Sequence, residues 1–138
     1  MYYNSYILPI IDYGIILWQS ASKRKLIQVA NIQKRNARMI LDTLWDHPST
    51  PLVNELNWLP LQSCITYHVT LLVFKIHTAL APESRCHLAQ PKKKSYYSNL
   101  TLQSLSTPIW NNILKHMKSA KNVNTFKSML NKHLFYTN

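Results

Sequence analysis

A single glycine, Gly14, serves a chain of 138 residues. Tight hairpins and phosphate-cradling loops both depend on glycine, so hairpin-linked sheets and glycine-rich nucleotide loops are disfavoured. Seven prolines cut the chain into short pieces instead. The length suits about one domain, and a hydrophobic share of 46% is enough for a core. The fold expected is all-α, with four to five helices around a central helix near Leu61–Leu80. At most a small two-stranded element near Leu100 accompanies them, because Leu100 and Leu102 alternate with polar residues.

Hydrophobic spacing places the helices. Tyr2 to Trp18 reads as a first helix whose regular part starts near Pro9. Its apolar residues run nearly all round, which predicts burial. Ser22 to Leu44 is the clearest helix, with Ser22 as its cap and no Gly or Pro inside. On a wheel of ~100° per residue, Leu26, Val29, Ala30, Ala37, Ile40 and Leu44 share one arc. Lys23, Arg24, Lys34, Arg35 and Arg38 share another arc of roughly 120°. A capped start at Thr50-Pro51 leads a short helix, Leu52 to Leu56, with a stop at Pro60.

Leu61 to Leu80 is the next helix, long and with two apolar faces. Leu61, Ile65, Val69, Leu72, Ile76 and Leu80 form one; Cys64, Tyr67, Leu71 and Phe74 form the other. Ser63, Thr66, Thr70 and His77 fall on a thin polar stripe, and His68 and His77 read as core-edge histidines. Residues 81–107 read as linker, with the run Lys92 to Lys94 solvated; a nuclear address or a phosphate contact are alternatives for that run. Pro108 is expected to start a short helix through Leu114. The last helix runs from about Val123 to Phe135, with Val123, Phe126, Leu130 and Leu134 on its apolar face.

Sixteen Lys and Arg stand against five carboxylates, for a formal net charge of +11. The five are scattered: Asp12, Asp42, Asp46, Glu55 and Glu83. Metal-dependent phosphoryl transfer needs clustered carboxylates, and no two are adjacent or one residue apart. The charge therefore points to a polyanion-binding module rather than a self-contained enzyme. The nucleic-acid candidates are Lys23, Arg24, Lys34, Arg35 and Arg38. The alternative is a solvated outer face, but the one acid at i±4 of these cations is Asp42, four residues after Arg38, so most of their repulsion goes unrelieved. Trp18, Trp45, Tyr96 and Tyr97 are candidates to stack on bases, although burial is the commoner fate of aromatics.

No catalytic residue, cofactor or metal is expected. Cys64 and Cys86 lie 22 positions apart without a CxxC. His87 adjoins Cys86, but no His-x3-5-His pair completes a zinc set. Two such cysteines and no basic leader suit reduced thiols in an intracellular protein, nuclear or cytoplasmic. Ile7 to Trp18 is broken by Pro9, Asp12 and Gly14, and a membrane span needs ~20 apolar residues. No membrane partner is expected.

Six phrases carry a resemblance. ILPIIDYGIILW (Ile7 to Trp18) resembles the ILPxLDYGxxxW segment that comes after the palm of non-LTR retrotransposon (LINE-type) reverse transcriptases. LIQVANIQKRNARMIL (Leu26 to Leu41) resembles the next segment, with its LxxxQxxAxRxI pattern. ELNWLPL (Glu55 to Leu61) and LLVFKIHTALAPE (Leu71 to Glu83) resemble the family's succeeding segments. PIWNNIL (Pro108 to Leu114) and NTFKSMLNKHLF (Asn124 to Phe135) resemble the C-terminal end. The six keep the family's order over nearly the whole sequence.

The resemblance implies a part of an RNA-directed DNA polymerase that grips template and primer, RNA or DNA, through phosphates. It divides the chain into a thumb-like bundle (1–80), a linker-like segment (81–107) and a C-terminal helical segment packing on the bundle (108–138). The family's [FY]xDD aspartates have no counterpart, since the sequence contains no Asp-Asp pair. The resemblance therefore implies a polymerase fragment lacking its palm. The alternative is a non-catalytic relic, or a protein-interaction module whose apolar faces once packed on the palm.

Overall fold

The computed structural model describes residues 3–18, 20–80, 88–89, 91, 95 and 101–136. Among them are eight α-helices, one π-helical turn and no strand. The helices are α1 (Leu8–Tyr13), α2 (Ile15–Trp18), α3 (Lys23–Ile40), α4 (Ser49–Glu55), α5 (Leu61–Leu80), α6 (Leu102–Asn112), α7 (Lys115–Lys118) and α8 (Val123–Tyr136). The all-α expectation holds for these residues. The number exceeds four or five because single-turn pieces such as α2 and α7 punctuate the longer rods. Leu100, Tyr96, Tyr97, Lys92 to Lys94, Glu83, Cys86 and His87 lie outside the described residues, and the linker expectation falls largely there. Leu102, paired with Leu100 in the strand expectation, opens α6.

The chain divides into two compact units, Met1–Ile65 and Thr66–Asn138, and the boundary falls within α5. In the first unit Tyr3, Ala37, Leu52, Val53 and Trp58 make the core, flanked by Ile7, Leu8, Ile40, Leu41 and Leu56. The Tyr3 ring stacks on Trp58 with centroids 3.7 Å apart. Burial pushes the Tyr3 hydroxyl up to about 12, and the Gln33 side chain that hydrogen-bonds it pulls the other way. Gln33 also donates to the Leu59 carbonyl at 2.8 Å, which satisfies a buried amide. Burial likewise pushes the Cys64 thiol up to about 12, with Asp12 adding to the effect. That thiol donates to the Leu59 carbonyl and is a poor nucleophile.

Two helix ends in this unit use no glycine. After α4, Asn57 adopts φ 53°. Its N–H bonds the Asn54 carbonyl and the Trp58 N–H bonds the Val53 carbonyl, both at 2.9 Å. This is a Schellman closure, with Trp58 and Val53 supplying its apolar contact. After α3, Asp42 adopts φ 49° and the Thr43 N–H returns to the Arg38 carbonyl at 3.1 Å. The expected helix to Leu44 is thus corrected: α3 stops at Ile40 and Leu44 is exposed. Ser22 stands at the N-cap but makes no side-chain cap bond. The expected start at Thr50-Pro51 moves to Ser49, which puts Pro51 in the first turn where its missing N–H costs nothing.

The predicted burial of the first helix is overturned. The run breaks at Gly14, whose φ of −100° any residue adopts. Trp18 spans the break, its indole N–H donating to the Ile11 carbonyl at 3.2 Å. Ile11 and Ile15 are buried, but Tyr6, Ile10, Tyr13 and Leu17 face solvent. Of these, Ile10 and Tyr13 lie three apart on α1, while Tyr6 belongs to the π-helical turn before it and Leu17 to α2.

In the second unit Phe74 stacks on Phe126 with centroids 4.1 Å apart and planes 8° from parallel. Trp110 leans on Phe126 at 6.2 Å, and His77 stacks on Trp110 at 5.7 Å. Leu130, Leu134 and Met117 complete this buried set. Pro108 lies inside α6 rather than at its start, which corrects the expected boundary. The helix begins six residues earlier because the Thr101 hydroxyl accepts from the Ser104 N–H at 3.3 Å. The Asn111 amide donates to the Leu88 carbonyl and accepts from the Leu88 N–H, both at 3.0 Å.

Leu72 is half-buried and lines a cavity of about 250 Å³ with Ile76, Leu88 and Leu102. Sequence pattern alone places it in the core, where Leu→Ala costs about 2–5 kcal/mol. With open volume already beside it, Leu72→Ala is expected to fall below that range, at about 1–2 kcal/mol. Urea titration measures it; a loss at the top of the core range would mean that the cavity is filled in solution.

Candidate functional site

α3 presents six cations: Lys23, Arg24, Lys25, Lys34, Arg35 and Arg38. Five are exposed and Arg38 is half-buried. None of the six forms an ion pair with a carboxylate among the described residues. The first three occupy the opening turn, where no acid offsets them and the helix dipole is itself positive. The candidates Lys23 and Arg24 stand ten or more residues before Lys34 and Arg35, or roughly 16 Å along the axis at 1.5 Å per residue. The predicted arc is therefore two clusters on one rod, and the structure does not bring the five together.

The second cluster has a built neighbourhood. The left-handed Asp42 turns the chain back along the last turn of α3, and Arg38 Nη2 donates to the His47 carbonyl at 3.2 Å. The returning loop sets Trp45 against the helix. The guanidinium carbons of Arg35 and Arg38 each lie 5.9 Å from the Trp45 ring centroid, within cation–π range. Arg35, Arg38, Met39, Asp42, Thr43 and Trp45 line a notch of about 400 Å³. Arg38 Nε and Thr43 Oγ1 are out of contact with water and have no hydrogen-bond partner.

Of the aromatic candidates, Trp18 is half-buried and engaged at Ile11, whereas Trp45 is 74% exposed. Tyr96 and Tyr97 lie outside the described residues. Sequence reasoning missed Met39, Asp42 and Thr43 as neighbours of the arginines. The only signal was an Asp two residues past the last apolar helix position, a helix-end residue that periodicity does not weigh.

Among the described residues no three His, Cys, Asp or Glu side chains gather as a metal site. None of the helices there is long and apolar enough to cross a membrane. His68 meets the edge of Tyr67, and His77 lies flat on Trp110. Chemically, the α3 face offers fixed positive charge, planar guanidiniums and an aromatic plane, a set suited to phosphates and flat rings. No protein-family model, curated protein or solved structure matches the chain.

Proposed function

We propose that this chain is a fragment of a retrotransposon RNA-directed DNA polymerase, lacking the palm active site, that binds RNA or DNA phosphates through α3. The observation that carries the reading is the cation face of α3, on which Lys23, Arg24, Lys34, Arg35 and Arg38 form no ion pair among the described residues, with Asp42 the one carboxylate lining the notch beside Arg35 and Arg38. The ordered resemblance of six segments supports the origin. In this reading α5 is the central helix of a thumb-like bundle. Within the second unit Val69, Thr70, Val73 and Phe74 are buried, which supports a core position for that part of the helix.

Phosphate contacts give affinity with little sequence reading, so the fragment holds a template–primer without selecting it. The test is fluorescence anisotropy with a labelled oligonucleotide at low salt. Binding that weakens when Arg35 and Arg38 become alanine, and weakens less when Lys92, Lys93 and Lys94 do, supports the face. The reverse ranking would move the site to the lysine run.

Catalysis is a separate matter. The fragment is expected to show no primer extension with Mg²⁺ or Mn²⁺, since its dispersed carboxylates hold no pair of metal ions. Template-dependent incorporation above a no-protein control would overturn this. The exposure of Tyr6, Ile10, Tyr13 and Leu17 favours the second reading, a protein-interaction module or relic whose apolar face once met the palm. Absence of oligonucleotide binding at low salt would leave that reading standing.

A further inference from the structure

The notch at the end of α3 holds more than positive charge. Its volume of about 400 Å³ lies within the small-ligand range of roughly 300–1,000 Å³. Trp45 forms one wall, and it is 74% exposed beside the two arginines. Part of its π surface is free. Two polar groups of the lining, Arg38 Nε and Thr43 Oγ1, lack both water and a partner. Such groups are costly to leave unmet, but both atoms are sealed from the notch opening, so a phosphate there falls to Arg35 and to the remaining donors of the Arg38 guanidinium. Asp42 is the single carboxylate of the lining, an acceptor that repels a phosphate but suits an N–H edge.

We propose that this notch seats one unpaired nucleotide, with its base stacked on Trp45 and its phosphate held by Arg35 and Arg38. The inference rests on the phosphate-binding reading of α3 and adds strand state to it. Inside a duplex each base is covered by its neighbours, so away from the duplex ends only an unpaired base offers a face to an indole. Every nucleobase also carries an N–H donor on its pairing edge, which Asp42 can accept once the pairing partner is gone. Arginines beside the same ring place the phosphate within one nucleotide of the stacked base. RNA and DNA share this chemistry.

Four labelled probes test the proposal by anisotropy at low salt: a single-stranded RNA, a single-stranded DNA, a duplex of the same sequence, and a phosphotyrosyl peptide. Trp45→Ala is expected to weaken single-strand binding about tenfold and leave duplex affinity within about twofold. Trp45→Phe keeps a ring and is expected to recover most of the loss. Equal losses on RNA and DNA mean that the notch reads the base face; a loss on one alone assigns the seat to that strand type. Because Trp45 is exposed, thermal melting of the variants checks that the fold is unchanged.

Equal weakening of duplex and single strand, or no change in either, overturns the notch while leaving the phosphate face intact. A wild-type chain that binds neither overturns both. Trp45-dependent capture of the phosphopeptide without single-strand binding gives the notch to a different ligand and overturns the proposal.

Discussion

Phe126→Ala is expected to lower the stability of the second unit by about 3–5 kcal/mol. Phe126 is fully buried, lies flat on Phe74 at 4.1 Å and carries the lean of Trp110 at 6.2 Å. Truncation removes the transfer energy of one ring and deletes its two aromatic pairs, with Phe74 and with Trp110, each worth about 0.5–1.5 kcal/mol beyond area. The surrounding Leu130 and Trp110 sit on helices that cannot close the gap without moving whole rods. Denaturant titration followed by tryptophan fluorescence measures the loss. Met129→Ala, three residues on and at the solvent edge, is the control and is expected to cost less than about 1 kcal/mol. A Phe126 variant no weaker than this control would remove the aromatic stack from the core.

The second large effect is ionic. If all five candidate cations contact phosphates, log K falls with log salt at a slope of about −3.5 to −4.5, from about 0.7–0.9 per phosphate. Raising salt from about 50 to about 200 mM then weakens binding on the order of a few hundredfold. Arg35→Ala with Arg38→Ala is expected to flatten the slope by about one to two units. The roughly 16 Å between the two clusters adds a length dependence. Oligonucleotides too short to span it engage one cluster and titrate with the shallower slope even on the wild type. A slope that ignores both the arginines and oligonucleotide length would assign the charge to general attraction by the +11 chain.

Periodicity made the long helices legible. α3, α5 and α8 fall where apolar spacing puts them, because side-chain burial and the 3.6-residue turn are both written in residue order. Termini were less legible. The α3 pattern continues to Leu44, yet the helix ends where Asp42 turns left-handed, a backbone event that hydrophobic spacing does not encode. Thr101 and Pro108 show the same weakness: proline was the louder signal, but the threonine cap sets the start. At the N-terminus, apolar residues all round implied burial, whereas Tyr6, Ile10, Tyr13 and Leu17 are open. Composition does not say what a face is packed against.

The site was half legible. The basic arc was visible on a wheel because its members share one helix. Its division into two clusters comes from the axial rise that a wheel projects away. Trp45 was one aromatic among four, and nothing in residue order favoured it. Its place beside Arg35 and Arg38 depends on the helix end, so an error of four residues there hides the notch altogether.

The left-handed residues Asp42 and Asn57 carry a consequence for how this sequence can drift. Most side chains are strained at φ near +50°, and Gly, Asn and Asp are the usual exceptions. Each position therefore has a short alphabet. At 57 all three letters keep the Schellman closure. At 42 glycine relaxes the backbone while deleting the carboxylate from the notch, and asparagine keeps the shape while erasing the charge. Such neutral-looking exchanges separate scaffold from chemistry. In lineages where the notch is used, 42 should stay acidic while 57 wanders; where it has fallen idle, the two should wander alike.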